Sequence, residues 1–281
     1  MLQKEENFEK INFNEVFDKK KHLFIILPEN PQKIISILEK TVHLADYFAN
    51  QFFAIDSYYF DFFSKLDMHS NIFILSLESP FTKIKNAVVL NLNLDFDMQN
   101  MMDTFSESVF LDLNNNGNFV VEPSLKNADE LIGLFLKLIS IKPDKTKLKY
   151  DLEKVHNDSS KKLMIFDIQN AANEKSIDVL LKNLNALNNT ALEIIWRAGS
   201  IDFNYSHLDT ENFLQYYEAV MKADMFFTDD KIFSTFLYEL GCDFIFLGKN
   251  LTNEEIKAFS PKNIFELKNY IIEFINRKRL V

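Results

Sequence analysis

Four residues between a predicted strand and a predicted helix are best placed for chemistry, namely Thr228, Asp229, Asp230 and Lys231. An apolar run at 225–227 precedes them, and apolar side chains with helical spacing follow until Gly241. A second apolar run at 244–247 completes a strand–helix–strand unit, which predicts parallel strands and a right-handed crossover. In parallel sheets, ligands lie beyond the carboxyl ends of strands, where helix N-termini attract anions. The four residues occupy that place.

The residue types in this stretch support two roles, an anion site and a helix cap. Thr and Asp side chains cap helices because their oxygens accept hydrogen bonds from free backbone amides. Asp229 and Asp230 also suit the positive end of a helix dipole, but they put negative charge where an anion would lie. Lys231 could offset one of those charges. We favour the helix cap.

Composition limits what kind of partner the chain can bind. The 281 residues suggest about two domains, and the 47% hydrophobic content is enough for real cores. The net charge of −10 argues against general binding to nucleic acid or to anionic membranes, which requires basic surfaces. Only 5 glycines occur and they form no cluster, so a glycine-rich phosphate loop is not expected.

Location and metal content are predicted from absences in the sequence. The N-terminus is polar and acidic, and no apolar run reaches the roughly 20 residues of a membrane span. We therefore expect a cytoplasmic protein without a membrane span. The single Cys242 suits a structural thiol. The segment 112–117 has the D-x-N-x-N-G pattern that begins some calcium loops, but an Asn-Gly hairpin turn explains it better. We therefore predict no metal and no cofactor.

Strand-like and helix-like segments alternate along the chain, which predicts an α/β fold with mostly parallel sheets. We expect an N-terminal extension at 1–20, an α/β domain at 21–142, and a second α/β domain at 163–281 that ends in a terminal helix. A linker is predicted at 143–162, where apolar residues become rare. In the first domain, strands are predicted at 22–27 and 87–92, and helices at about 31–48 and 98–105.

Two segments of this layout resemble the heptosyltransferase-like glycosyltransferases of family 9. The clearer one contains Ala223-Asp224, Thr228-Asp229-Asp230, Leu240-Gly241 and the run at 244–248. The other is the strand, loop, helix and strand pattern at 87–121. Together with the order of elements, the resemblance extends loosely over residues 22–276. It implies the GT-B fold, in which two Rossmann-like domains face each other.

The sequence departs from the family where the family performs its chemistry. The first βα loop of the family carries Gly-Asp, with the Asp as the base that activates the acceptor; here Pro28-Glu29-Asn30 leaves Glu29 as the carboxylate that could act as a base. Lys175 and Arg197 follow the strands at 163–168 and 192–196, where the resemblance implies contacts to the donor.

At the phosphate-facing helix start, Asp230-Lys231-Ile232 stands where the family has Asp, Ser or Thr, and Gly. Two hypotheses follow. The first is a catalytically degenerate GT-B protein that serves as an interaction or scaffold module for a protein partner. The alternative is an active, heptosyltransferase-like glycosyltransferase that moves a sugar from a nucleotide-diphosphate donor. It would use Glu29 as base and bind the donor with residues from the second domain, namely Lys175, Arg197, Thr228, Asp229, Asp230 and Lys231.

Overall fold

The computed structural model describes residues 22–79, 83–97, 103–113, 127–142, 144, 146, 148–149, 162–170, 177–180, 182, 192–198, 206–208, 210–247 and 264–277. The chain forms two compact units, Met1–Leu152 and Glu153–Val281. The division falls inside the segment predicted as a linker. Part of that segment is tied to the first unit, because the amide of Thr146 donates to the carbonyl of Glu39 at 2.9 Å. The exact limits of the linker stay a prediction.

The first unit alternates strands and helices. Its elements are β1 (His22–Ile26), α1 (Pro31–Thr41), a 3-10 turn (Val42–Asp46), β2 (Gln51–Ile55), α2 (Ser57–Phe63), β3 (Ile72–Ser76), β4 (Ile84–Lys85), β5 (Ala87–Asn91), β6 (Phe105–Ser106), β7 (Val109–Asp112) and α3 (Ala128–Leu138). Five strands form one sheet in the order β3-β2-β1-β5-β7, and every pairing is parallel. The short strands β4 and β6 pair separately. The central strand β1 is almost completely apolar, as expected for a parallel sheet that is covered on both faces.

The second unit repeats this topology. Its elements are β8 (Lys162–Ile168), β9 (Leu192–Ala198), β10 (Ser206–His207), α4 (Phe213–Lys222), β11 (Met225–Thr228), α5 (Lys231–Glu239), β12 (Ile245–Phe246) and α6 (Ile264–Arg277). The sheet order is β10-β9-β8-β11-β12, again wholly parallel. In both five-stranded sheets the first strand lies in the middle, and the fourth strand of that sheet, β5 or β11, pairs with it. This is the order of one Rossmann-type sheet, so the predicted α/β fold class is confirmed.

Aromatic side chains form the core between β8, β11 and the helices of the second unit. Phe166 and Phe227 are both fully buried, and their rings stack with centroids 4.3 Å apart and planes 2° from parallel. Phe213 at the start of α4 packs on Phe236 of α5 at 4.9 Å between centroids. Backbone hydrogen bonds set the spacing of β8 and β11, and the Phe166–Phe227 stack packs one face of the sheet beside the strand ends that carry the candidate site.

Two predicted helices in the first unit have different limits in the structure. The helix predicted to reach residue 48 ends at Thr41 and continues as the 3-10 turn. The hydroxyl of Thr41 donates back to the carbonyl of Ile37 at 2.7 Å, and the Gln51 side-chain amide donates to the Thr41 carbonyl at 2.9 Å. Because these bonds engage the last carbonyls of α1, they favour a tighter turn there.

The helix predicted at 98–105 is wrong at its end, since Phe105 belongs to strand β6. Its ring packs edge-on against Phe24 of β1 with centroids 5.0 Å apart, so burial of the ring outweighs the weak helical pattern. The hairpin predicted around 112–117 begins at the end of β7, but most of it lies outside the described residues. Within the described ranges, no helix is both long enough and apolar enough to cross a membrane.

Candidate functional site

The loop after β11 is built by its own side chains. Thr228, the last residue of the strand, is fully buried, and its hydroxyl oxygen accepts the amide of Asp230 at 3.1 Å. Asp230 then caps α5, because one carboxylate oxygen accepts the amides of Ile232 at 2.8 Å and Phe233 at 3.1 Å. The predicted helix cap is confirmed at Asp230. Two of the free amides at this helix start are therefore already bonded.

Replacing Asp230 by Ala is expected to lower the free energy of unfolding of the second unit by about 0.5–2 kcal/mol, the usual cost of losing an N-cap. Chemical denaturation followed by circular dichroism measures the change. Asn at the same position keeps an oxygen acceptor, so Asp230→Asn should recover most of the loss. Equal stability of wild type and Asp230→Ala would contradict the cap.

Asp229 bridges two loops that are far apart in sequence. Its two carboxylate oxygens accept the amides of Gln169 at 2.7 Å and Asn170 at 3.0 Å, in the loop that follows β8. The amide of Asp229 donates to the carbonyl of Asp167 at 3.4 Å. Backbone amides at the ends of neighbouring parallel strands are the groups that bind anionic ligands in such sheets. Here a carboxylate of the protein itself bonds them.

A buried carboxyl group lies directly below this bridge. Asp167 near the end of β8 is fully buried, and its oxygens accept the hydroxyl of Tyr216 at 2.7 Å and the side-chain amide of Gln169 at 3.0 Å. Tyr216 is fully buried in α4. Neither Tyr216 nor Gln169 was predicted from the sequence as part of a site. The available signal was Asp167 itself, since a carboxyl group inside an apolar strand requires a hydrogen-bonding partner.

The structure describes only some of the basic residues that were predicted to bind the donor. Lys231 is the first residue of α5 and is exposed. Arg197 lies on β9 in register with Asp167 of β8; its side chain, like the whole of Lys175, is outside the described residues. Of the predicted donor-binding residues, the structure brings Thr228, Asp229, Asp230 and Lys231 together with the β8 loop. Four backbone amides of these loops are bonded to carboxylates.

Glu29 occupies the corresponding edge of the first sheet, one loop after β1. It is exposed, and within the described parts of the chain no hydrogen bond or ion pair reaches its carboxylate. The next residue, Asn30, caps α1 by accepting the amides of Gln32 at 3.0 Å and Lys33 at 3.2 Å. In the first βα loop too, a side-chain cap bonds the amides at the helix start, and Glu29 faces solvent.

The fourth strand of the first sheet ends in a buried polar group. The side-chain amide of Asn91 donates to the carboxyl group of Asp112 at 2.9 Å, and its oxygen accepts the amide of Asn93 at 3.1 Å. All three residues are buried. Like the Asp229 bridge in the second unit, this network joins the ends of two neighbouring strands. Among the residues that the structure describes, no cluster of three His, Cys, Asp or Glu side chains could hold a metal ion.

Comparison with solved structures shows that this chain has the fold of GT-B glycosyltransferases. It is similar to E. coli heptosyltransferase WaaC with ADP-2-deoxy-2-fluoro heptose, at 10% identity and a TM-score of 0.50, over 92% of this chain and 99% of that one. The same heptosyltransferase with ADP gives 10% identity and a TM-score of 0.51, over 91% and 99%. The heptosyltransferase-like resemblance of the sequence is confirmed for the fold. No protein-family model matches the sequence, and neither does any curated protein.

Proposed function

We propose that this chain is a catalytically degenerate GT-B glycosyltransferase-like protein that acts as an interaction or scaffold module. The observation that supports the proposal most directly is the occupation of the phosphate-type site by the protein's own carboxylates. Asp229 bonds the two amides after β8, so a nucleotide diphosphate would have to displace it. Asp230 bonds two amides at the start of α5, but the family has an Asp at this position too, so the argument rests on Asp229.

Electrostatics disfavours that displacement. A diphosphate carries about two negative charges, which need amides, cations or a metal to offset their loss of hydration. Asp229 and Asp230 would repel it at short range, and the described part of the site contributes Lys231 as a cation. Moving Asp229 aside would also leave the amides of Gln169 and Asn170 without their present acceptor. Binding would therefore cost the bridge between the two loops.

A protein partner suits the remaining properties of the chain. Its net charge of −10 disfavours nucleic acid and anionic membranes, and we place the protein in the cytoplasm. The two α/β units supply a broad surface on which binding could occur without chemistry. In this proposal the GT-B fold is retained as a body for binding, and the former ligand edge of the second sheet stabilises the loops.

An active glycosyltransferase is the alternative. The observation that favours it is the similarity to a heptosyltransferase that has been solved with ADP and with an ADP-linked sugar. Glu29 is exposed just beyond the carboxyl end of β1, where a base could meet an acceptor hydroxyl. Lys175, Arg197 and Lys231 would then bind the donor, with Thr228, Asp229 and Asp230 rearranged around it.

Titration calorimetry of the full chain with ADP- and UDP-linked sugars, with and without Mg²⁺ or Mn²⁺, separates the two functions. We expect no heat of binding at sugar nucleotide concentrations up to about 1 mM, because the amides are occupied and the site is acidic. An unrelated transferase that binds each donor serves as the positive control.

A dissociation constant in the low micromolar range would contradict the proposal, provided that Lys231→Ala weakens it. Glu29→Gln tests the predicted base rather than donor binding. Sugar transfer by the wild type that is lost in this variant would support an active glycosyltransferase. Binding that requires a divalent metal would also favour the transferase, because a metal reverses the sign of the charge at the two aspartates.

A further inference from the structure

Within the part of the chain that the structure describes, one edge strand of the first sheet has none of the sequence features that usually protect such edges. β3 is the outermost strand on its side, and its sequence Ile-Phe-Ile-Leu-Ser contains no charge and no proline. It pairs with β2 without a bulge, from Ile72 opposite Gln51 to Ser76 opposite Ile55. Natural edge strands are normally short, charged, bulged or interrupted by proline. At the edges of the second sheet, β10 and β12 have only two residues each.

The side chains of β3 add an apolar surface to this edge. Phe73 is 41% exposed, and its ring stacks on Phe52 with centroids 5.3 Å apart. Phe52 contacts Phe24 at 6.0 Å, and Phe24 contacts Phe105 at 5.0 Å. A row of aromatic rings therefore runs from the buried core to the edge and ends on Phe73. Leu75 lies on the same face as Phe73 and is only partly buried.

The backbone of β3 has hydrogen-bonding groups on its outer side. The carbonyl of Asn71 and the amide of Leu77 both bond β2, so the odd-numbered residues direct their backbone groups inwards. The even-numbered residues must then direct theirs outwards. Ile72 uses its amide for the carbonyl of His69, and Ser76 uses its carbonyl for the amide of Ser79. The carbonyl of Ile72, both groups of Ile74 and the amide of Ser76 face outwards.

We infer that β3 pairs with β3 of a second copy of this chain, antiparallel and centred on Ile74. In that register the outward groups match. The amide and the carbonyl of Ile74 bond the carbonyl and the amide of Ile74 in the other copy, and the Ser76 amide of each copy donates to the Ile72 carbonyl of the other. This gives about four backbone hydrogen bonds across the two-fold axis. Phe73 of one copy lies opposite Leu75 of the other, so the apolar face continues across the contact.

Charge at this edge permits a second copy as the occupant. Two chains of net charge −10 repel each other, but the contact adds no pair of like charges, because residues 70–77 carry no ionisable side chain. The antiparallel register also separates the acidic residues at its ends. Glu78 of one copy lies opposite Ser70 and beside His69 of the other, so the two Glu78 carboxylates do not meet. The interaction surface is independent of the proposed function of the second unit.

The dimer is expected to be weak, with a dissociation constant of about 10–100 µM, because a five-residue strand and its neighbours bury less surface than a standard interface. Sedimentation velocity of the full chain over about 1–200 µM should show the average mass rising towards the dimer. Hydrogen exchange over the same range should slow at the amides of Ile74 and Ser76.

Phe73→Lys places a charge at the edge and should keep the protein monomeric over the whole range. Tyr238→Lys is the matched control, since Tyr238 is also 41% exposed but lies on α5 of the second unit, and it should associate as wild type does. A wild-type chain that stays monomeric would overturn the inference and leave this edge to a strand of another protein. Equal association of both variants would also overturn the inference. The same holds if hydrogen exchange at the amides of Ile74 and Ser76 does not depend on protein concentration. The exchange measurement needs no variant, so it decides the matter even if Phe73→Lys fails to fold.

Discussion

Replacing Phe227 by Ala is expected to lower the free energy of unfolding of the second unit by about 3–5 kcal/mol. Phe227 is fully buried in β11, and its ring stacks on Phe166 of β8 at 4.3 Å. The substitution removes a large apolar side chain, leaves a cavity on one face of the sheet and loses a stacked aromatic pair. Urea denaturation monitored by circular dichroism measures the change.

The matched control for Phe227→Ala is Ile232→Ala. Ile232 is 48% exposed in the first turn of α5, so its removal should change stability by less than about 0.5 kcal/mol. A comparable loss in both variants would contradict the packing described for β8 and β11. The stack also holds the strands whose ends are joined by Asp229, so amide exchange at Gln169 and Asn170 should accelerate in Phe227→Ala and not in Ile232→Ala.

Tyr216→Phe is expected to cost about 1.5–3 kcal/mol, more than a single hydroxyl normally contributes. The hydroxyl donates to the carboxyl group of Asp167 at 2.7 Å, and both residues are fully buried. Without the Tyr216 hydroxyl, the buried carboxyl group of Asp167 loses one of the hydrogen bonds that replace its hydration by water. The same denaturation experiment measures the loss.

Tyr47→Phe removes a hydroxyl from a ring of the first unit that is 41% exposed, and it should leave stability unchanged within about 0.5 kcal/mol. The double variant Tyr216→Phe, Asp167→Asn tests the partner directly. The free energy of unfolding lost in the double variant should be smaller than the sum of the two single losses, because the two groups act as one pair. Additive losses would show that the Tyr216 hydroxyl stabilises the unit through some other contact.

The strands and the helix cap could be predicted from the sequence because each depends on neighbouring residues. Apolar runs bounded by Pro, Asn or Asp predicted β1, β5 and β11, and the structure confirms those strands within about one residue. Asp230 was recognisable as a cap because a cap needs only its own side chain and the next amides. The α/β class followed from the alternation of such elements.

Contacts between distant residues could not be predicted in this way. Asp229 and Gln169 are separated by 60 positions, and nothing in either residue type indicates that they bond. Their contact depends on β11 pairing beside β8, which is a property of the sheet order. The strand β6 was missed for a similar reason, because Phe105 becomes a strand residue by packing on Phe24 rather than by any local periodicity.

The strand order has a consequence for how the chain folds during synthesis. In each sheet the first strand lies in the centre, and it acquires its second neighbour only when the fourth strand has been made, as with β1 and β5 or β8 and β11. Such distant parallel pairings slow folding, because a long loop must close before the contact stabilises it. Among the described strands, every pairing joins members of the same unit. The N-terminal unit can therefore complete its sheet on the ribosome before the C-terminal unit has been translated, so nascent chains should acquire protease resistance in two steps.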